Sequence, residues 1–228
     1  MEESRGSGFK IYRVYGDMRI GIFLHPYGEK NPAGLARTIF EFTKGLLELD
    51  QQNQYFIFAK NSAAPRPDLF GTNWQFFSGG GRFWMDKFIH RNSQLDVCLF
   101  NTPVLPLFFR PKKSIVLALD FGYKYLPAKN FMGFLIRKVM EIYHGYSLAR
   151  ADKVVAISAA TKNDTMRYFG ISEEKIEVVH CGFKKICALS PKESERLPDK
   201  FFLFAGIIKE RKNVFNVVRA FGEFQKSS

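Results

Sequence analysis

Residues 151–183 read ADKVVAISAATKNDTMRYFGISEEKIEVVHCGF. The stretch ADKVVAIS (151–158) is a short, nearly continuous apolar run, as expected of a strand buried on both faces. Ser158 stands where a helix wants its N-cap, because a hydroxyl there accepts from one of the first free backbone N–H groups. The helix it opens covers 159–168, and Gly170 ends it, since glycine takes the left-handed conformation without a steric penalty. KIEVVH (175–180) is then a second strand. Strand, helix and strand in this order predict two parallel strands joined by a crossover helix.

The same alternation extends upstream. MRIGIFL (18–24), YFIFA (55–59), WQFF (74–77), DVCLF (96–100) and SIVLALD (114–120) are further strand candidates. Leu35, Ile39, Phe42, Leu46 and Leu49 recur at steps of four and three, which is one apolar helix face. Asn31 is placed to cap that helix, with Pro32 at its first position. Residues 82–92 and 131–149 also read as helices, and 60–73, with two prolines, as a loop. Downstream, 184–200 lacks a period and reads as a linker. FFLFAG (201–206) reads as one more strand, followed by a helix marked by Val214, Val217, Val218, Phe221 and Phe224. The prediction is an α/β fold, a Rossmann-like doubly wound parallel sheet over 18–183 preceded by a loose tail at 1–17. Residues 201–228 would open a second such domain.

Composition narrows the class. With 228 residues and 46% hydrophobic content, the chain can bury a core without disulfides or metals. No run approaches ~18 apolar residues, and MEESRGSGFKIYR lacks the apolar centre of a signal peptide. Three cysteines without CxxC spacing argue against a disulfide framework or zinc site, so a reducing, cytoplasmic setting is expected. The net charge of +12 favours anionic partners. Nucleic acid is the weakest of these, because no helix-turn-helix, zinc or RNP-like pattern is visible. Residues 110–150 hold eight basic and two acidic side chains, a local +6. That charge raises peripheral contact with an anionic membrane face, although a core-packing 131–149 helix with a solvated basic edge is the simpler expectation. The 25 phenylalanines are read as core.

Three places could carry chemistry. HPYGEKNPAG (25–34) follows the first strand, where a doubly wound sheet binds ligands. There His25 would border the cleft, and Gly34 would let an anion approach the free N–H groups of the next helix. In LALDFGYKYLP (117–127), Asp120 ends a strand and enters a glycine-containing loop, placed to bind a hydroxyl or simply to form a turn. In GIIKERKN (206–213), Lys209, Arg211 and Lys212 crowd a helix N-terminus, an arrangement suited to a diphosphate or to plain solvation.

Taken together, these segments resemble the retaining glycosyltransferases of the family 4 group, which have the two-domain GT-B fold. ADKVVAISAATKNDTMRYFGISEEKIEVVHCGF carries most of the resemblance, followed by FFLFAGIIKERKNVFNVVRAF (201–221), MRIGIFL with Gly34, and LALDFGYKYLP. The resemblance implies transfer of a sugar from a nucleotide-sugar to an acceptor hydroxyl with retained configuration. The acceptor would be a saccharide or a lipid-linked saccharide, as in polysaccharide biosynthesis. No metal and no cofactor are implied, the nucleotide-sugar being a substrate.

Residue by residue, the resemblance gives Gly34 a place near the donor phosphate and Asp120 the aspartate of a His-Asp pair, with Leu119 where the histidine would stand. It gives Arg211 and Lys212 the donor diphosphate. The family's paired acidic residues would fall beyond Ser228, so the second domain is expected to be truncated. An acceptor-binding or partner subunit that needs a separate donor domain is the alternative expectation.

Overall fold

The computed structural model describes residues 17–28, 34–125, 128, 130–182, 200–206, 208 and 210–227. All but the last residue of the tail at 1–17 and of the linker at 184–200, together with the Asn31 cap, Pro32 and Lys209, lie outside the described residues. The chain divides into two units, Met1–Gly122 with Ala128–Cys181 and Tyr123–Pro127 with Gly182–Ser228.

The first unit is built on β1 (Arg19–Phe23), β2 (Gln54–Ala59), β3 (Trp74–Ser78), β4 (Val97–Phe100), β5 (Ser114–Ala118), β6 (Lys153–Ala156) and β7 (Ile176–Val178). These form one seven-stranded sheet in the order β3-β2-β1-β4-β5-β6-β7. Every neighbouring pair is parallel. Its helices are α1 (Gly34–Leu49) after β1, α2 (Trp84–Arg91) after β3, α3 (Phe131–Arg150) after β5 and α4 (Ala159–Phe169) after β6. The chain winds from β1 outward to β3, then returns to the other side of β1. With right-handed crossovers this puts α1 on one face and α2, α3 and α4 on the other. The architecture is α/β, a Rossmann-like doubly wound parallel sheet.

Alternation along the strands separates two cores. On the α1 side, Ile22, Leu24, Ile57, Leu99 and Leu117 pack with Ile39 and Leu47 of α1. The opposite side is built of rings. Phe23 stacks on Phe100 at 4.6 Å and meets Phe58 at 5.0 Å and Trp84 of α2 at 5.6 Å. Phe88 of α2 closes on Phe58 at 4.9 Å. Part of the phenylalanine content therefore has a packing use. Cys98 is buried on this side, and burial pushes its thiol up to about 12, which leaves it an inert packing group.

The local signals hold where they can be checked. Ser158 Oγ accepts from Thr161 N at 3.1 Å, and Gly170 ends α4 with φ at +64°. Two expectations fail. FFLFAG (201–206) forms no strand, because a strand needs a neighbour for its backbone groups and the described residues of the second unit supply none. That unit instead shows an irregular segment, a 3-10 turn at Glu210–Lys212 and α5 (Val214–Ser227), with Phe202 against Phe221 at 5.3 Å. The second failure is α3. It buries only Ser147 and Leu148, near its carboxyl end, and its amino half carries exposed apolar side chains rather than a solvated basic edge. The helix docks by its later turns: Tyr143 OH donates to Leu105 O at 2.7 Å, and Ser147 Oγ accepts from Leu105 N at 3.0 Å.

Candidate functional site

In a doubly wound sheet the ligand crevice opens beyond the strand carboxyl ends, where the strand order reverses. Here the reversal lies between the hydrogen-bonded neighbours β1 and β4. Past β1, Leu24 N donates to Phe58 O at 2.8 Å, and the chain turns through 25–28 with a cis His25–Pro26 bond. Three elements hold this turn. Asn101, just past β4 and only 2% exposed, donates from Nδ2 to His25 O. Asn61 Nδ2 donates to Gly28 O at 2.8 Å, and Tyr27 stacks on Phe40 of α1 at 5.7 Å. Gly28 has φ at +77°, and a Cβ there would stand 2.6 Å from Ala64 Cβ, so the turn requires glycine twice over. The His25 ring lies 6.0 Å from that of Trp84.

Gly34 opens α1 and is exposed. Nothing lies within 4 Å of where its Cβ would be, so no packing inside the chain demands glycine here. The helix has no acidic residue in its first turn, and its first N–H groups form a positive end.

Asp120 follows β5 and is exposed. Its Oδ1 accepts from Gly122 N at 3.0 Å, the turn-forming use of an aspartate, and its other oxygen makes no hydrogen bond among the described residues. Leu119 packs against the α1-side core, and its carbonyl accepts from Thr161 Oγ1 at 2.9 Å. The turn carrying Asp120 is thereby tied to the start of α4. Since β1 and β5 flank β4, the backbones that carry His25 and Asp120 are about 10 Å apart across the sheet.

The fold brings His25, Gly34 and Asp120 to one edge of the first unit. Arg211 and Lys212 lie in the second unit, in the turn before α5. Lys212 is exposed there, and the Arg211 side chain is outside the described residues. Asn213, at φ +52°, leads into α5, with its carbonyl accepting from Asn216 N at 3.1 Å. Among the described residues, no three of His, Cys, Asp or Glu gather in a metal-binding group. Sequence reasoning missed Asn101, Asn61 and Tyr27. For Asn101 the signal was available: a polar residue just after an apolar strand, the same pattern that drew attention to Asp120.

The sequence model of Glycosyltransferase Family 4 matches residues 32–184, about two thirds of the chain. The matched stretch includes Gly34 and Asp120, while His25, Arg211 and Lys212 fall outside it. No curated protein matches the sequence significantly.

Proposed function

The chain belongs to Glycosyltransferase Family 4, and from that premise we propose that it takes part in sugar transfer from a nucleotide-sugar to a saccharide hydroxyl with retained configuration. The first unit would hold the acceptor at the edge formed by His25, Gly34 and Asp120. The observation behind this reading is that the family match covers Gly34 and Asp120, two of the three residues of that edge. Asp120 has a carboxylate oxygen available to an acceptor hydroxyl, and its other oxygen fixes the turn. Gly34 leaves the start of α1 open to a phosphate. Arg211 and Lys212 would take the donor diphosphate. As the sugar departs, charge builds on that diphosphate, so fixed cations and helix N–H groups favour the transition state over the ground state.

Asp120→Asn tests the reading. The amide oxygen still accepts from Gly122 N, so the turn persists and only the charge is lost. Transfer to saccharide acceptors, assayed with a panel of nucleotide-sugars, is expected to fall by about 100-fold. Unchanged transfer would remove Asp120 from the site. One observation favours an acceptor-binding subunit instead: Leu119, where the resemblance has a histidine, is partly buried and packs against the core rather than facing a ligand edge with a polar group. On that reading the wild-type protein binds saccharide but turns over no donor.

A further inference from the structure

The loop between β3 and α2 carries three successive glycines, Gly79, Gly80 and Gly81, which the sugar-transfer reading leaves unused. Two of them are needed by the fold. Gly79 N donates to Ala59 O at 3.1 Å, which extends the β2–β3 pairing past the carboxyl end of the strands, and a Cβ there would press to 3.2 Å from Phe88 Cζ. Gly81 has φ at +106°, a conformation that favours glycine. Gly80 is under neither demand, since a Cβ would meet only Lys60 O, at 3.6 Å. Beside this loop lies a cavity of about 170 Å³. Ser78, Gly79 and Gly80 line one side, and Trp84, Lys87 and Arg91, spaced along one face of α2, line the other.

The cavity is positive. Lys87 reaches back over the loop, with its Nζ 3.5 Å from where a Gly81 Cβ would stand. Among the described residues neither Lys87 nor Arg91 pairs with a carboxylate. Asp86 is the only acid between Asp68 and Asp96, and it is buried with Oδ1 turned to Phe108 N and Phe109 N. The backbone N–H groups of Gly80 and Gly81 donate to nothing among the described residues. Two cations and accessible N–H groups around a small cavity suit a phosphoryl group, whose oxygens accept from both.

Trp84 ties this cavity to the edge proposed for the acceptor. It lines the cavity, and its ring lies 6.0 Å from that of His25. Since β1 and β3 flank β2, the turns after them are about 10 Å apart across the sheet, the span of a sugar ring with its phosphate.

We propose that the cavity binds a phosphoryl group carried by the acceptor, which is then a phosphorylated saccharide rather than a neutral one. The phosphate site stands on its own geometry; that its ligand is the acceptor rests on the sugar-transfer reading.

Titration calorimetry of the full chain uses glucose 1-phosphate, octyl phosphate and glucose, with no donor present. A phosphate compound is expected to bind, and glucose to bind about tenfold more weakly or not at all. The tighter of the two phosphates distinguishes a sugar phosphate from a lipid phosphate. Lys87→Gln and Arg91→Gln should each weaken phosphate binding by about tenfold. Gly80→Asp, which sets a carboxylate beside the cavity, should abolish it. Lys87 and Arg91 are exposed and Gly80 has room for a side chain, so circular-dichroism melting should be unchanged in all three. Absence of binding by both phosphates overturns the proposal, as does glucose binding equally well or phosphate binding that ignores all three substitutions. Phosphate binding by a protein that transfers sugar to no acceptor keeps the site and overturns the sugar-transfer reading. Transfer to neutral saccharides without phosphate binding does the reverse.

Discussion

Gly21 and Gly34 show how one residue type serves two ends. At Gly21, on β1, a Cβ would stand 3.0 Å from both Cys98 Sγ and Leu95 Cδ1, so glycine sets how closely the aromatic side of the core closes. Gly21→Val is expected to destabilise the protein by about 1–3 kcal/mol through overpacking, read from urea denaturation. At Gly34 the space is open, and the same test should show little change from Gly34→Ala. The sequence marks Gly28 and Gly34 alike, as glycines of one loop. Only Ala64, 36 residues further along the chain, and Asn61, 33 residues further, show that the first is needed by the fold.

Single elements were legible to the extent that they carry their own signals. Strands buried on both faces are short apolar runs whatever surrounds them, and β1 to β7 were found on that basis. Helix α4 carries its cap and its terminating glycine, so its ends were found as well. Residues 201–206 look the same on paper but form no strand, because strand pairing needs a partner that local sequence does not supply. The turn at 101–113 shows the same dependence. Asp86 of α2 is buried and accepts from Phe108 N at 2.6 Å and Phe109 N at 3.1 Å. Asp86→Ala leaves both donors without their acceptor, and a loss of about 1–3 kcal/mol is expected in the same urea experiment.

Across the whole first unit, three aspartates secure the amino-terminal ends of the strands. Asp50 is opposed by burial, yet hydrogen bonds from the Asn53 side chain, the Tyr55 hydroxyl and the Asn53 and Gln52 backbone hold its carboxyl below the usual range. The Arg19 backbone N–H, followed by Lys112, lowers Asp96. Asp152 is likewise opposed by burial and is lowered by Lys113 and Ser114. A carboxylate depressed in the folded state stabilises it above the unfolded pKa, and that contribution disappears as pH falls through the folded value. Burial also lowers His144, which must charge as the chain unfolds in acid, so its effect has the same sign. Thermal stability should therefore decline below about pH 6.5 and fall more steeply below about pH 4. Asp50→Asn should flatten the steeper part in a Tm-against-pH series.

The sequence by itself determined the fold class, the strand and helix positions from 18 to 180, and the family resemblance. Each of these rests on patterns a few residues long, or on motifs contiguous in the chain. Tertiary structure decided what depends on distant neighbours. The order of strands places the reversal between β1 and β4, and so joins His25 to Asn101 across 76 residues. It also decided which face of α3 is covered. Residues 131–149 read as a core-packing helix with a solvated basic edge, and only the packing of Tyr143, Ser147 and Leu148 shows that its burial is confined to the carboxyl end.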